Sequence, residues 1–189
     1  MRIAIIGAGN VGRALETGWK KAGHEVRFGK RESNREAAQW GEVVVLATPW
    51  PATGQAIAAC GSLERKVVLD ATNPLLPNLA GLDHAQGSGG ERVAQWARGA
   101  KVVKIFNTTG FNNMLDPRYA AGQPMMLYCG DDASAKSLGK QLAAELGFDP
   151  VDFGPLANAR YSESVAMSWI WLAVKSGVGR DIAFVLAKR

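Results

Sequence analysis

The amino-acid sequence predicts an α/β protein: a Rossmann-type doubly wound parallel sheet with helices on both faces and a short helical C-terminal extension. Two observations carry this expectation. The apolar run Met1-Arg2-Ile3-Ala4-Ile5-Ile6 leads directly into Gly7-Ala8-Gly9-Asn10-Val11-Gly12, a strand followed by the spacing G-x-G-x-x-G. Beyond it, short runs of β-branched and apolar residues alternate with longer stretches of helical periodicity, the rhythm of successive βα units.

The elements follow in order. Val11, Ala14, Leu15, Gly18, Trp19 and Ala22 recur at helical spacing and give the first helix one face to lay on a sheet. His24-Glu25-Val26-Arg27-Phe28 reads as the second strand and Gly29-Lys30-Arg31-Glu32-Ser33-Asn34 as the loop after it. Val43–Ala47 and Lys66–Asp70 have the continuous apolar character of parallel strands buried on both faces. Lys101–Phe106 is a fifth strand, 125–129 a sixth, and Val151-Asp152-Phe153 a short last one. Helices are expected at 51–60, about 89–98 and 132–146, the last capped by Asp131 or Asp132. The segment from Asn158 to about Ser176 reads as a helix carrying Val165, Met167, Trp169, Ile170, Leu172 and Ala173. It is apolar on more than one side, which predicts packing against both the domain and a second copy of the chain, hence a homodimer. Residues 1–150 are expected to form the dinucleotide-binding domain and 151–189 a segment packed on it as one unit.

Bulk properties narrow the class. At 189 residues the chain is long enough for one full core and short for a dehydrogenase with a large separate substrate domain. No apolar stretch approaches the ~20 residues of a membrane span, and Met1 abuts the first strand without space for a leader peptide. Cys60 and Cys129 match no disulfide or zinc spacing and read as reduced core thiols. A cytoplasmic protein with no membrane partner is expected. The formal charge of +5 comes from dispersed lysines and arginines without a nucleic-acid motif, so a polyanionic small molecule explains it better than nucleic acid.

The glycines state the chemistry. Gly7 serves a tight turn, Gly9 lets backbone approach a pyrophosphate, and Gly12 lets helix and strand pack closely. Ala8, Asn10 and Val11 complete the loop, and the helix behind it points amide N–H groups and a positive dipole end at phosphate. An NAD-selective site usually places Asp or Glu at the end of the second strand; here Gly29, Lys30 and Arg31 stand there. A guanidinium grips a 2′-phosphate through paired charge-assisted hydrogen bonds, which predicts NADP(H) over NAD(H). The duller alternatives are that Lys30 and Arg31 solvate a surface loop, or that Glu32 serves the ribose with a one-residue slip.

Ligands of open α/β sheets bind beyond the carboxyl ends of the strands. There the chain offers Thr48-Pro49, Asn73-Pro74 and Asn107, expected to hold the nicotinamide half. These loops contain no His, Lys or Tyr placed as a proton donor; Asp70 is expected to bond loop amides, His24 to sit in a turn, and His84 in a loop without an evident partner. Ser88 is no nucleophile elbow because Gln86 occupies the glycine position. No side-chain acid or base and no metal site is assigned. Ketone reduction needs a delivered proton, whereas hydride passed to a flavin-like ring needs mainly alignment of two planes.

At these residues the chain resembles the NADPH-dependent reductases of the deazaflavin coenzyme F-420 and their relatives, over essentially its whole length. The likeness rests on the glycine loop, Gly29-Lys30-Arg31, Thr48-Pro49-Trp50, Asn73-Pro74-Leu75, Cys129-Gly130-Asp131-Asp132 and Gly154-Pro155-Leu156-Ala157-Asn158-Ala159-Arg160. It implies that the glycine loop binds pyrophosphate and that a Ser/Arg pair holds the 2′-phosphate. Lys30 stands where that serine is usual, so the role passes chiefly to Arg31. It further implies that Asn107, Thr109, Arg160 and Ser164 line an acceptor pocket. Archaeal members carry His and a bulky apolar residue where this chain has Asn107 and Thr109. The resemblance extends to the reductase domain of the six-transmembrane metalloreductases. The small-molecule redox acceptor therefore stays open between F-420 and a flavin, quinone or ferric iron, with an NADP(H)-binding sensor as a reading of another class. Arg160 has a structural alternative, an ion pair with Glu163 three residues on.

Overall fold

The computed structural model describes residues 1–189. β1 (Arg2–Ile6) runs into α1 (Asn10–Lys21), and β2 (Glu25–Gly29) into α2 (Asn34–Trp40). β3 (Val43–Leu46), α3 (Trp50–Ala59), β4 (Val67–Asp70), α4 (Gly89–Trp96) and β5 (Lys101–Lys104) repeat the unit. With β6 (Met125–Gly130) and β7 (Asp149–Asp152) the sheet has seven strands in the order β2-β1-β3-β4-β5-β6-β7, and the first five are parallel. The chain leaves β1 toward one edge and comes back for β3 on its other side. That reversal opens a crevice beyond the carboxyl ends of β1 and β3.

The continuous apolar runs are explained by two covered faces. Every residue of Ile3–Ile6 and Val43–Leu46 is buried. One face carries α1 and the helix α6 (Ala133–Glu145), with Leu15, Trp19, Leu142 and Phe148 in a single core. The other carries α2, α3 and α4 through Ala37, Ala38, Ile57 and Val93. Trp19 is fully buried; its indole N–H donates to the Leu142 carbonyl at 3.1 Å and its ring meets Phe106 edge-on at 5.4 Å.

The doubly wound parallel sheet is present as expected, with one exception at β6 (Met125–Gly130), which pairs antiparallel to β5. A parallel strand would require the chain to cross back to the opposite end of the sheet. Residues 105–124 do not cross over: they contain only the five-residue α5 (Phe111–Leu115), packed on α1, and stay at the carboxyl end of β5. β6 then returns toward the amino ends, and β7 (Asp149–Asp152) lies parallel to it after α6.

α7 (Ala159–Ile170) follows β7 and continues into a π-helical turn at Trp171–Lys175, so the helical stretch ends where periodicity placed it, at about Ser176. The boundary drawn between residues 150 and 151 falls inside β7, so the C-terminal segment begins within the sheet. No helix is long and apolar enough to cross a membrane.

Candidate functional site

The three glycines of the first loop are required for different reasons. Gly7 has φ +112°, and a Cβ there would stand 2.5 Å from the Ala47 carbonyl oxygen. At Gly12 a Cβ would meet the Gly7 carbonyl oxygen at 2.3 Å, where α1 presses on β1. Gly9 differs: its φ of −77° suits any residue, and a Cβ would find nothing within 4 Å. The fold does not need glycine at position 9, and its absent side chain leaves the surface of the loop open. No side chain caps α1 and its first turn holds no acid, which leaves the positive end of the helix to an anion.

Beside this loop lies a cleft of about 840 Å³, lined by Gly7, Ala8, Lys30, Arg31, Thr48 and Gln55 among others. Lys30 and Arg31 are exposed at its edge, and neither takes part in the ion pairs of the molecule. Arg31 is held at φ +46° in a tight turn in which the Ser33 hydroxyl accepts from the Lys30 N–H at 2.9 Å. A non-glycine residue in that region carries on the order of 1–3 kcal/mol of strain, a cost that concentrates at ligand sites. Glu32 lines the same cleft. Gly29 explains why no acid ends β2: a Cβ there would lie 2.6 Å from Ile6 Cδ1 and 2.8 Å from Asn34 Oδ1.

Thr48, in the lining of that same cleft, shares a 2.9 Å hydrogen bond with the Thr53 hydroxyl, and Pro49 stands at the start of α3. Asn73, on the loop after β4, donates to the Asn107 carbonyl at 2.9 Å, and Asn107 Nδ2 returns a bond to Asn73 Oδ1 at 3.1 Å. Asn107 is 4% exposed and its Oδ1 has no partner. Pro74 is buried behind this pair. The chain reaches Asn107 through Phe106, a non-glycine residue at φ +63°. The predicted cofactor residues thus form two groups at the carboxyl end of the sheet, one at the cleft and one at the paired asparagines.

Of the four residues expected to line an acceptor pocket, Thr109, Arg160 and Ser164 do not converge on Asn107. Thr109 Oγ1 accepts from Asn113 Nδ2 at 2.7 Å. Ser164 donates to the Arg160 carbonyl at 2.8 Å and faces a separate groove of about 540 Å³ with Leu82, Met167, Trp171 and Leu172. Arg160 is half exposed and pairs with Glu91 at 3.5 Å, which corrects the alternative of a bond to Glu163. The side chain of α7 that reaches the asparagines is Ser162, 3.5 Å from Asn107 Nδ2. The segment from Gly154 lies at the amino end of β5: Gly130 donates to the Gly154 carbonyl, and Asp131 accepts from the Leu156 N–H at 2.9 Å. It is a turn that launches α7.

The largest omission of the sequence reading is a buried charge cluster. Lys104, Asp70 and Glu163 are all 0% exposed. Lys104 Nζ lies 2.9 Å from Asp70 Oδ2 and 3.1 Å from Glu163 Oε1, and it also donates to the Thr72 carbonyl. Burial alone would pull the Lys104 pKa down; the two facing carboxylates outweigh it and hold it above the usual lysine value. Asp70 does bond the loop amide expected of it, from Thr72 at 2.9 Å, and His84 has a partner after all in Glu163 at 2.8 Å. The available signal was that Asp70 and Lys104 are charged residues at the ends of two apolar strands, and they are register partners. Burial raises Cys60 to about 11 and Cys129 to about 12, so neither thiol is a nucleophile near neutrality. No three His, Cys, Asp or Glu side chains converge as a metal site.

A structure from Arthrobacter sp. FB24, described as a candidate F420-dependent NADP-reductase, matches this one with TM-score 0.89 and 30% identity, covering 98% of this chain and 99% of that one. The chain belongs to the F-420-dependent NADP oxidoreductase family. The family's sequence model, described as NADP oxidoreductase coenzyme F420-dependent, matches residues 2–35, the span of β1, α1, β2 and the Arg31 turn. The protein is accordingly an NADP-dependent oxidoreductase. Metalloreductase STEAP3 of Rattus norvegicus is 29% identical over 182 residues, 88% of this chain but 36% of that protein, so the chain spans about a third of that relative. A reductive aminase from Aspergillus terreus, in complex with NADPH4, cyclohexanone and allyl amine, is 21% identical with TM-score 0.64, covering 90% of this chain and 60% of that one. At that distance the likeness is one of fold.

Proposed function

We propose that this protein transfers hydride between NADP(H) and the deazaflavin coenzyme F-420. The observation that carries the dinucleotide half is Gly9, a glycine for which the folded chain itself has no use. The glycine-loop amides and the start of α1 hold the pyrophosphate. Arg31, with Lys30, grips the 2′-phosphate at the cleft edge. Asn73 and Asn107 present amide groups to the nicotinamide end, where the unpartnered Asn107 Oδ1 is an acceptor for the carboxamide. When bound, the reduced nicotinamide would supply the hydride for an acceptor ring, whose proton would come from water. Lys104 takes no part in that proton transfer, because Asp70, Thr72 and Glu163 occupy its three N–H groups. What the protein contributes is alignment and exclusion of competing geometry.

The choice of F-420 as acceptor is supported by the whole-length likeness to the Arthrobacter protein. Mixing the purified protein with NADPH and oxidised F-420 tests it: bleaching of the deazaflavin absorbance with NADPH, and not with NADH, is the expected result. Tight NADPH binding without bleaching would overturn F-420 and favour the second reading, a flavin, quinone or ferric acceptor, to which the metalloreductase likeness points. The same reading includes a homodimer through the outer side of the C-terminal helix, where Trp171 is 56% exposed. Sedimentation as a monomer would remove it.

A further inference from the structure

Lys104 is placed as a hub between the two walls of the nicotinamide end. Its three N–H groups go to three different places: the Asp70 carboxylate at the end of β4, the Thr72 carbonyl on the loop beyond, and Glu163 on α7. Asp70 Oδ1 in turn accepts from both the N–H and the hydroxyl of Thr72, at 2.9 and 2.7 Å. Glu163 accepts the first two amides of α4, from Gly89 at 3.1 Å and Gly90 at 3.0 Å. Two of the three tethered residues have a chain neighbour at the asparagine pair. Thr72 precedes Asn73, and Ser162, which touches Asn107 Nδ2, precedes Glu163. Lys104 itself lies on the strand that delivers Asn107.

A buried ion cluster of this kind is poorly explained by stability alone. Desolvation offsets most of its Coulomb energy, and apolar replacements of whole buried clusters are often no worse. Here the cluster fixes the positions of three separate chain segments, and all three bear on Asn73 and Asn107. Neither the cleft at Arg31 nor the glycine loop contacts it.

We propose that Lys104 is a positioning residue for the nicotinamide: through Thr72 and Glu163 it sets the Asn73–Asn107 pair in the register that receives the carboxamide. The proposal rests on the reading that the chain binds NADP(H). Its test is to measure the affinities of NADP+ and of 2′-phospho-ADP-ribose, which lacks the nicotinamide, for the wild type and for Lys104→Met. Wild type is expected to bind NADP+ the tighter of the two. The variant should lose about tenfold for NADP+, the equivalent of one good hydrogen bond, and leave the fragment within about twofold. Equal losses for both ligands, or no loss for either, would overturn it, as would a wild type that does not distinguish them. If wild type binds neither ligand, the dinucleotide reading itself has failed, a result distinct from the others. If Lys104→Met does not fold, Glu163→Gln takes its place. It preserves the side chain's shape and an acceptor for the α4 amides while removing one charge facing Lys104. The same selective loss is expected, reduced to about threefold.

Discussion

At the scale of single residues, the glycine loop separates what folding needs from what a ligand needs. Gly9→Ala is expected to leave the unfolding midpoint unchanged, because the new methyl meets nothing, and to weaken NADP+ binding by about tenfold or more. Gly7→Ala should instead destabilise the protein itself, since φ +112° and the Ala47 carbonyl both oppose a side chain. Calorimetry with and without NADP+ checks both. Arg31→Ala should remove roughly 1.5–3 kcal/mol of preference for NADP+ over NAD+, read from the ratio of the two dissociation constants. An unchanged ratio would return Arg31 to the role of a solvated surface residue. The glycines and the Lys30-Arg31 pair were legible in the sequence because the roles proposed for them rest on their own backbone or side chain. The crowding that keeps an acid from position 29 was not, because it comes from Ile6 and Asn34 folding against that point.

Among the elements, α6 shows how a helix start is written locally. Asp132 caps it, accepting from the Ala135 N–H at 2.8 Å, and also pairs with Lys101 at 3.0 Å. A hydrogen bond from the Ser134 hydroxyl, that amide and Lys101 together hold its carboxyl well below the usual range. A group whose folded pKa is depressed contributes stability above its unfolded value, near 4, and loses it as pH falls toward the folded value. Asp132→Ala should therefore lower the urea midpoint at pH 7, with the gap to wild type closing below about pH 4. The capping residue was predictable from composition. The direction of β6 was not, since an apolar run such as Met125–Cys129 is equally at home parallel or antiparallel, and only the path of residues 105–124 decides. The extent of the last helix followed its apolar pattern through Trp171–Lys175, whereas the change of its last turn to the wider π form is not written in that pattern.

The whole molecule is closed by its C-terminal stretch, which binds back without forming a helix or strand. The Ile182 carbonyl accepts from Asn113 Nδ2 at 2.7 Å and from the Trp169 indole at 2.9 Å, and Met125 donates to the Phe184 carbonyl at 2.8 Å. Trp169 in turn packs on Gly110, where a Cβ would come within 2.3 Å of its ring. Removing residues 177–189 should leave these donors unpaired and cost on the order of 2–4 kcal/mol in urea unfolding, with a red shift of tryptophan emission. Retention of full stability would mean that the stretch is a passive covering. The polypeptide also places the start of the segment most specific to the family resemblance, Gly154–Leu156, against the end of β6, where it turns the chain into α7. A motif can mark a family through the way it turns the chain as well as through what it touches.

The sequence by itself determined the Rossmann class, the glycine loop and the cationic pair beyond β2, on which the proposed dinucleotide half of the site rests. All of these lie within one βαβ unit, where local pattern and local structure coincide. The tertiary structure decided the other half. Lys104 meets Asp70 from 34 residues away, and Asn107 meets Ser162 from 55. The reversed β6 keeps residues 105–124 at the site. Such contacts depend on strand order and register, and no periodicity in the chain encodes which distant residues those will bring together.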